Sequence, residues 1–260
     1  MPAYITDLYR YPLQGTQGQT MPQLILTPLS PPPYDRVFGI VEEIKKISPV
    51  GEQIIHKLRG DKKLLSLCSH YDETTKILKI YQQDKLLLKA ALPKEDQKLA
   101  DVIAKFLGFQ TIKHPLSIGY KSDPSLFGGF LHGRAVIAGA YKKTAISIIN
   151  HNSLRDFAKK IGEKNIDKRR FRANIYIDNL ESFTELSWVG RDIKCGKAIL
   201  RAIERTARCA ITEINPDNAM RDFSTLTHLK KNYQHLDMGI YAEIINGATI
   251  SIGDELSLLN

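Results

Sequence analysis

Two short stretches carry the residues best suited to chemistry. Arg170-Phe171-Arg172-Ala173-Asn174 is followed, one strand and one turn later, by Arg208-Cys209 with Thr212. A guanidinium fork binds a phosphate bidentately, and a thiolate is a soft ligand for thiophilic metals. The combination reads as a site for an anionic, metal-bearing cofactor. Arg205 and Arg208 supply positive charge that would favour the Cys209 thiolate, and Thr212 offers a hydroxyl close by in sequence. Cys68 and Cys195 are read instead as small core residues, Cys195 because it follows Ile193 at strand spacing.

These groups need a β-rich frame to hold them. Asn174-Ile175-Tyr176-Ile177-Asp178 alternates in strand fashion, which places Arg172 and Asn174 on one side. Ala145 to Asn150 is a second strand, and Ser153-Leu154-Arg155-Asp156 reads as a capping box opening a helix that ends at Gly162. A helix from about Asp222 places Leu226, Leu229 and Tyr233 on one side; His228 and His235 also share a face and are read as solvated. Ala248 to Leu258 is a last strand with a turn or bulge at Gly253-Asp254.

The earlier half repeats the pattern. Tyr4 to Tyr11 is a strand, broken by Pro12, Gly15 and Gly18, and Asp35 to Val41 is another after the connector Pro28 to Pro33. Leu64 to Cys68, Ile77 to Tyr81 and Lys85 to Lys89 have the rhythm of an antiparallel sheet, and Lys94 to Leu107 is a helix closed by Gly108. Gly128 to Arg134 is glycine-dense but lacks the dinucleotide and phosphate-loop spacings, so it reads as a loop, with a strand at Ala135 to Ala138.

With 260 residues and 43% hydrophobic content the chain can bury a sizeable core. Three scattered cysteines form no disulfide framework and no CxxC pair, and a reducing compartment fits them. No window approaches a membrane span and the first residues lack a charged and then apolar leader, so the expectation is a cytoplasmic protein with no membrane association. A net charge of +9 invites a nucleic-acid reading. The lysines, however, are dispersed in pairs without interleaved aromatics, and no nucleic-acid partner is expected. The dense run 164–172 leads straight into the arginine motif.

Arg170 to Asn174, Phe183-Thr184-Glu185-Leu186-Ser187-Trp188, Arg208-Cys209 with Thr212, and Gly247 to Asp254 occur in the order and spacing of the MOSC domain, which this sequence resembles. The resemblance implies an α+β, β-rich fold: a MOSC-type β-barrel with flanking helices at 116–260, preceded by a β-barrel-like companion domain at 1–115. It further implies a molybdenum cofactor (molybdopterin), with Cys209 as metal ligand and catalytic residue. Arg36, Arg172, Asn174 and Arg208 would bind the pterin and its phosphate, with Thr144, Ser153 and Thr212 as further contacts. Where the family often has Tyr-Pro-Val-Lys-Ser, this chain has Tyr11-Pro12-Leu13-Gln14-Gly15, an uncharged amide in place of an ammonium. No lysine sits in a context that identifies a Schiff base, so pyridoxal phosphate is not expected. The implied activity is reduction of N-hydroxylated substrates, as in amidoxime reductases, with electrons from an external protein of ferredoxin or flavin-reductase type. The alternative is a sulfur or cofactor carrier that uses Cys209 without turnover.

Overall fold

The computed structural model of the protein describes residues 2–42, 56–57, 61–108, 116–120 and 145–259. Thr144 and the expected loop and strand at 128–138 lie outside them. The first half contains β1 (Ala3–Arg10), β2 (Gln19–Met21), β3 (Gln23–Ile25), β4 (Phe38–Glu42), β5 (His56–Lys57), β6 (Leu67–Asp72), β7 (Ile77–Gln82), β8 (Lys85–Ala91), helix α1 (Asp96–Leu107) and β9 (Leu116–Tyr120). The second half contains β10 (Ile146–Asn150), α2 (His151–Lys160), β11 (Ile175–Asp178), β12 (Asp192–Cys195), β13 (Ala198–Ala207), α3 (Thr225–Tyr233), β14 (Asp237–Asn246), β15 (Thr249–Ser251) and β16 (Glu255–Leu258).

Seven strands close on themselves in the order β11-β10-β14-β13-β12-β16-β1, with β1 pairing back onto β11. The β10–β11 pair is parallel and the other pairs of the ring are antiparallel. Closure removes the sheet edges and leaves an interior that side chains must fill. Ile5, Leu8, Ile148, Ile177, Leu200, Ile240 and Leu256 do so, all at most 1% exposed. The fold is thus β-rich with a closed barrel, as the motifs implied. The opening strand belongs to that barrel: Tyr4 pairs with Asp178 on one side and Glu255 on the other.

A separate three-stranded antiparallel sheet, β6-β7-β8, packs with α1 around a second core that includes Leu78, Ile80, Leu99 and Ile103. Leu99, Ile103 and Leu107 recur every fourth residue and are buried, and Gly108 caps the helix in the left-handed conformation. The run expected as one strand from Leu64 divides: 62–66 form a 3-10 turn capped by the Asp61 side chain, and the strand starts at Leu67. Helix α2 also begins earlier than the capping-box pattern indicated. Asn150, not Ser153, is its N-cap and accepts from the backbone N–H of Asn152. The C-terminal strand is interrupted at Gly253-Asp254 as expected, between β15 and β16.

Candidate functional site

Residues 11–18 join the barrel to the smaller sheet. The Gln14 amide donates to Phe38 O at 2.8 Å, Gln17 donates to Leu67 O at 2.7 Å, and Ser69 donates back to Gln17 O at 3.0 Å. At the start of this segment, Tyr11 is fixed at both ends. Its amide donates to Asp35 Oδ1 and its hydroxyl to Ala173 O, each at 2.8 Å. Burial pushes the Tyr11 phenol well above its ordinary value, so it stays a neutral donor.

Two arginines stack on that ring. The guanidinium carbons of Arg36 and Arg172 lie 4.8 and 5.1 Å from its centroid, a cation–π arrangement in a desolvated setting. Both residues have positive φ, 54° and 51°. Neither is therefore a regular strand residue. The alternation that would have set Arg172 beside Asn174 stops at this left-handed step, and Arg36 leaves a turn before β4 begins. Arg36 pairs with Asp35 and donates through Nη2 to Arg172 O at 3.3 Å. Burial is the largest single influence and opposes its charge, but Asp35, Tyr11 and Tyr241 together hold the guanidinium above its ordinary value.

Arg208 is the third cation. Its Nε donates to Met238 O at 2.9 Å and its Nη1 to Phe171 O at 3.0 Å, with the guanidinium 5.4 Å from the Phe171 ring. Burial lowers its pKa, and the partners described for it are carbonyls. A desolvated cation held by dipoles alone favours an anion beside it. Tyr241 connects the group: its phenol, raised by burial, lies within the fields of Arg208, Arg36 and Cys209. The structure thus gathers Arg36, Arg172, Arg208 and Cys209 around Tyr11 and Tyr241.

Cys209 is exposed, at the head of a 3-10 turn spanning 210–213. Its carbonyl accepts from the Thr212 amide at 3.1 Å and from Thr212 Oγ1 at 2.9 Å. Thr212, 2% exposed, therefore positions the cysteine backbone through its hydroxyl. Arg205 turns away and donates through Nε to Leu186 O.

The remaining expected residues go elsewhere. Asn174 is buried between strands: its Oδ1 accepts from Ser147 Oγ at 3.0 Å and its Nδ2 donates to Tyr9 O at 3.3 Å. Ser153 donates to Glu185 Oε1 at 2.8 Å and accepts from the Phe183 amide at 2.8 Å. Glu185 is fully buried, and burial raises its carboxyl to about 7. His228 and His235 are half-buried in an aromatic patch with Phe223, Phe183 and Tyr233 rather than solvated. Among the described residues no three His, Cys, Asp or Glu side chains gather as a metal cage. A metal here would rely on the single thiolate and on its own cofactor for ligands. Sequence reasoning missed Asp35, Tyr11 and Tyr241. Tyr11, directly before Pro12, carried a usable signal, whereas nothing local marks Tyr241.

The chain is thus a closed-barrel protein in which arginines converge near one exposed thiol. Residues 131–257 match the MOSC domain model, and this part of the chain belongs to that family. Mitochondrial amidoxime-reducing component 1 of Homo sapiens is 27% identical over 133 residues, 46% of this chain and 39% of that protein. The Mus musculus counterpart is 26% identical over 124 residues, 43% and 36%. The matched stretch thus spans less than half of either relative. Among solved structures, the YUAD protein from Bacillus subtilis aligns over 98% of this chain and 94% of its own at 11% identity and TM-score 0.46. YiiM from Geobacillus stearothermophilus aligns over 44% and 54% at 16% identity and TM-score 0.32.

Proposed function

We propose that the protein binds a molybdopterin through Arg36, Arg172 and Arg208, with Cys209 as the protein ligand to molybdenum, and that it reduces N-hydroxylated substrates. The observation that carries this is the convergence of three guanidiniums, Arg36 and Arg172 on the Tyr11 ring and Arg208 beside Tyr241, near an exposed thiol. A pterin phosphate would meet charge-assisted donors there, and the guanidinium forks suit its oxygens. Thr212 holds the Cys209 backbone, and Asp35 with Tyr11 holds Arg36, so the charged groups are set in advance. When bound, molybdenum supplies the oxygen-atom and electron-pair chemistry, and a separate electron-transfer protein of ferredoxin or flavin-reductase type supplies reducing equivalents. The similarity to the amidoxime-reducing components supports the substrate class. A cytoplasmic location accompanies this reading.

The exposure of Cys209 also favours a second reading, a carrier whose thiol accepts and releases sulfur without turnover. One experiment separates them. Protein made in a cofactor-competent host is analysed for molybdenum and pterin fluorescence, then supplied with reduced viologen and benzamidoxime. The reductase reading expects both signals, with turnover abolished by Cys209→Ala and kept by Cys195→Ala. Full molybdenum loading without turnover, with a persulfide on Cys209 by intact mass, establishes the carrier. Absence of pterin and molybdenum refutes the binding proposal itself.

A further inference from the structure

A trough of about 350 Å3 lies between helix α2 and the 163–168 loop, and neither Cys209 nor Arg36, Arg172 or Arg208 lines it. One wall is the helix. His151, Arg155 and Lys159 follow one another at four-residue spacing, so they form a single basic stripe about 12 Å long. The other wall is the loop, which adds Lys164 and Lys168, while Leu154 and Ile166 supply the apolar part of the lining. The dense basic run 164–172 thus serves two places: Arg172 joins the cluster on Tyr11, and Lys164 and Lys168 face this trough.

Carboxylates compensate this charge incompletely. Asp7 holds His151 and Lys168, at 3.0 and 2.5 Å, and Asp178 holds Arg155 at 2.6 Å, but neither acid lines the trough, where Glu163 is the one carboxylate. Among the described residues the exposed Lys159 and Lys164 pair with no carboxylate. Arg155 and Lys159 are like charges one turn apart, and α2 has no acidic residue in its first turn, so the helix carries two electrostatic costs that a bound anion would relieve. The stripe's length selects among anions. A lone phosphate or carboxylate is far shorter and reaches the donors of one turn only, whereas a chain of phosphates repeats its negative oxygens along its length and can engage Arg155 and both lysines together. The volume suits a small molecule. We propose that this trough binds a linear polyphosphate, free or carried on a nucleoside.

The test titrates tripolyphosphate into the full chain at low salt by isothermal calorimetry. Saturable binding is expected, weakened roughly tenfold by Lys159→Ala or by Lys164→Ala, abolished when both lysines become glutamate, and weakened by added salt. Both side chains are exposed, so the variants should melt close to wild type. ATP titrated in parallel identifies the source: affinity equal to that of tripolyphosphate supports a chain carried on a nucleoside, and a much lower one supports a free chain. Four results overturn the proposal: no saturable heat at millimolar tripolyphosphate, affinity unchanged in the double variant, inorganic phosphate binding as tightly as tripolyphosphate, or binding lost in Arg172→Ala. The last would place the anion in the arginine cluster instead. Failure of the molybdopterin reading is seen separately, as missing metal and pterin with tripolyphosphate binding intact.

Discussion

Glu185 makes stability depend on pH in a calculable way. Its side chain is fully buried and, among the described residues, faces Ser153 and Asn150, neutral donors, rather than a cation. Burial raises the carboxyl from 4.5 to about 7, more than those hydrogen bonds lower it. Because the folded value lies above the unfolded one, the native state binds the extra proton. The associated stability is complete below pH 4.5 and is lost as pH rises through 7. Integrated over that interval, the loss is about 3 kcal/mol. Glu185→Gln removes the ionisation while keeping the shape. Differential scanning fluorimetry of both proteins from pH 5 to 8.5 is the assay. The variant's melting temperature should gain on the wild type with rising pH, by roughly 6 °C across the range. Parallel curves would refute the reasoning, since other titrating groups are common to both proteins.

Arg172→Ala should reduce pterin retention while shifting the melting temperature little, because its ring contact with Tyr11 is shared with Arg36; retained pterin fluorescence after gel filtration checks it. Gln14→Lys should raise retention by adding a charge-assisted bond, and unchanged or weaker retention would remove this loop from the cofactor site. Iodoacetamide should label exposed Cys209 in the native protein, and Cys68 and Cys195 chiefly after denaturation. Burial raises those two thiols to about 11 and about 12, and peptide mass mapping reads the difference. Gly18→Ala should displace the Tyr11 ring and destabilise the chain by about 1–3 kcal/mol, measured by urea titration.

Element types were largely legible from local pattern. Alternation found β11, the apolar run from Ala145 found β10, three- and four-residue spacing found α1, and the Gly253 break between β15 and β16 was visible in composition. What failed was anything decided by distant neighbours. Arg36 and Arg172 adopt left-handed backbone because Tyr11, Asp35 and Ala173 hold them, three residues that no window around either contains together. Ser153 has the composition of a helix cap, yet Asn150 takes that role and Ser153 turns inward to Glu185. Glu185 itself stood in a motif between Phe183, Leu186 and Trp188, a setting that signals burial but not which donors receive the carboxylate. Position 15 shows the reverse. A φ of +94° explains why glycine stands where the family often has serine, a departure visible in sequence without its cause.

The strand that closes the barrel, β1, is made first and used last. Its partners within the ring are β11 and β16, so Ala3 must wait for Leu256. On a ribosome the six other staves emerge before the ring can be sealed, and until then β1 has only the neighbouring β2, which pairs along Leu8 to Arg10, while the stretch around apolar Ile5 waits for its partners. Such long-range pairing is slow, because the chain between the partners must be ordered before the contact repays it. The interval before closure is therefore when this protein is most exposed to aggregation and when a chaperone would have most to hold.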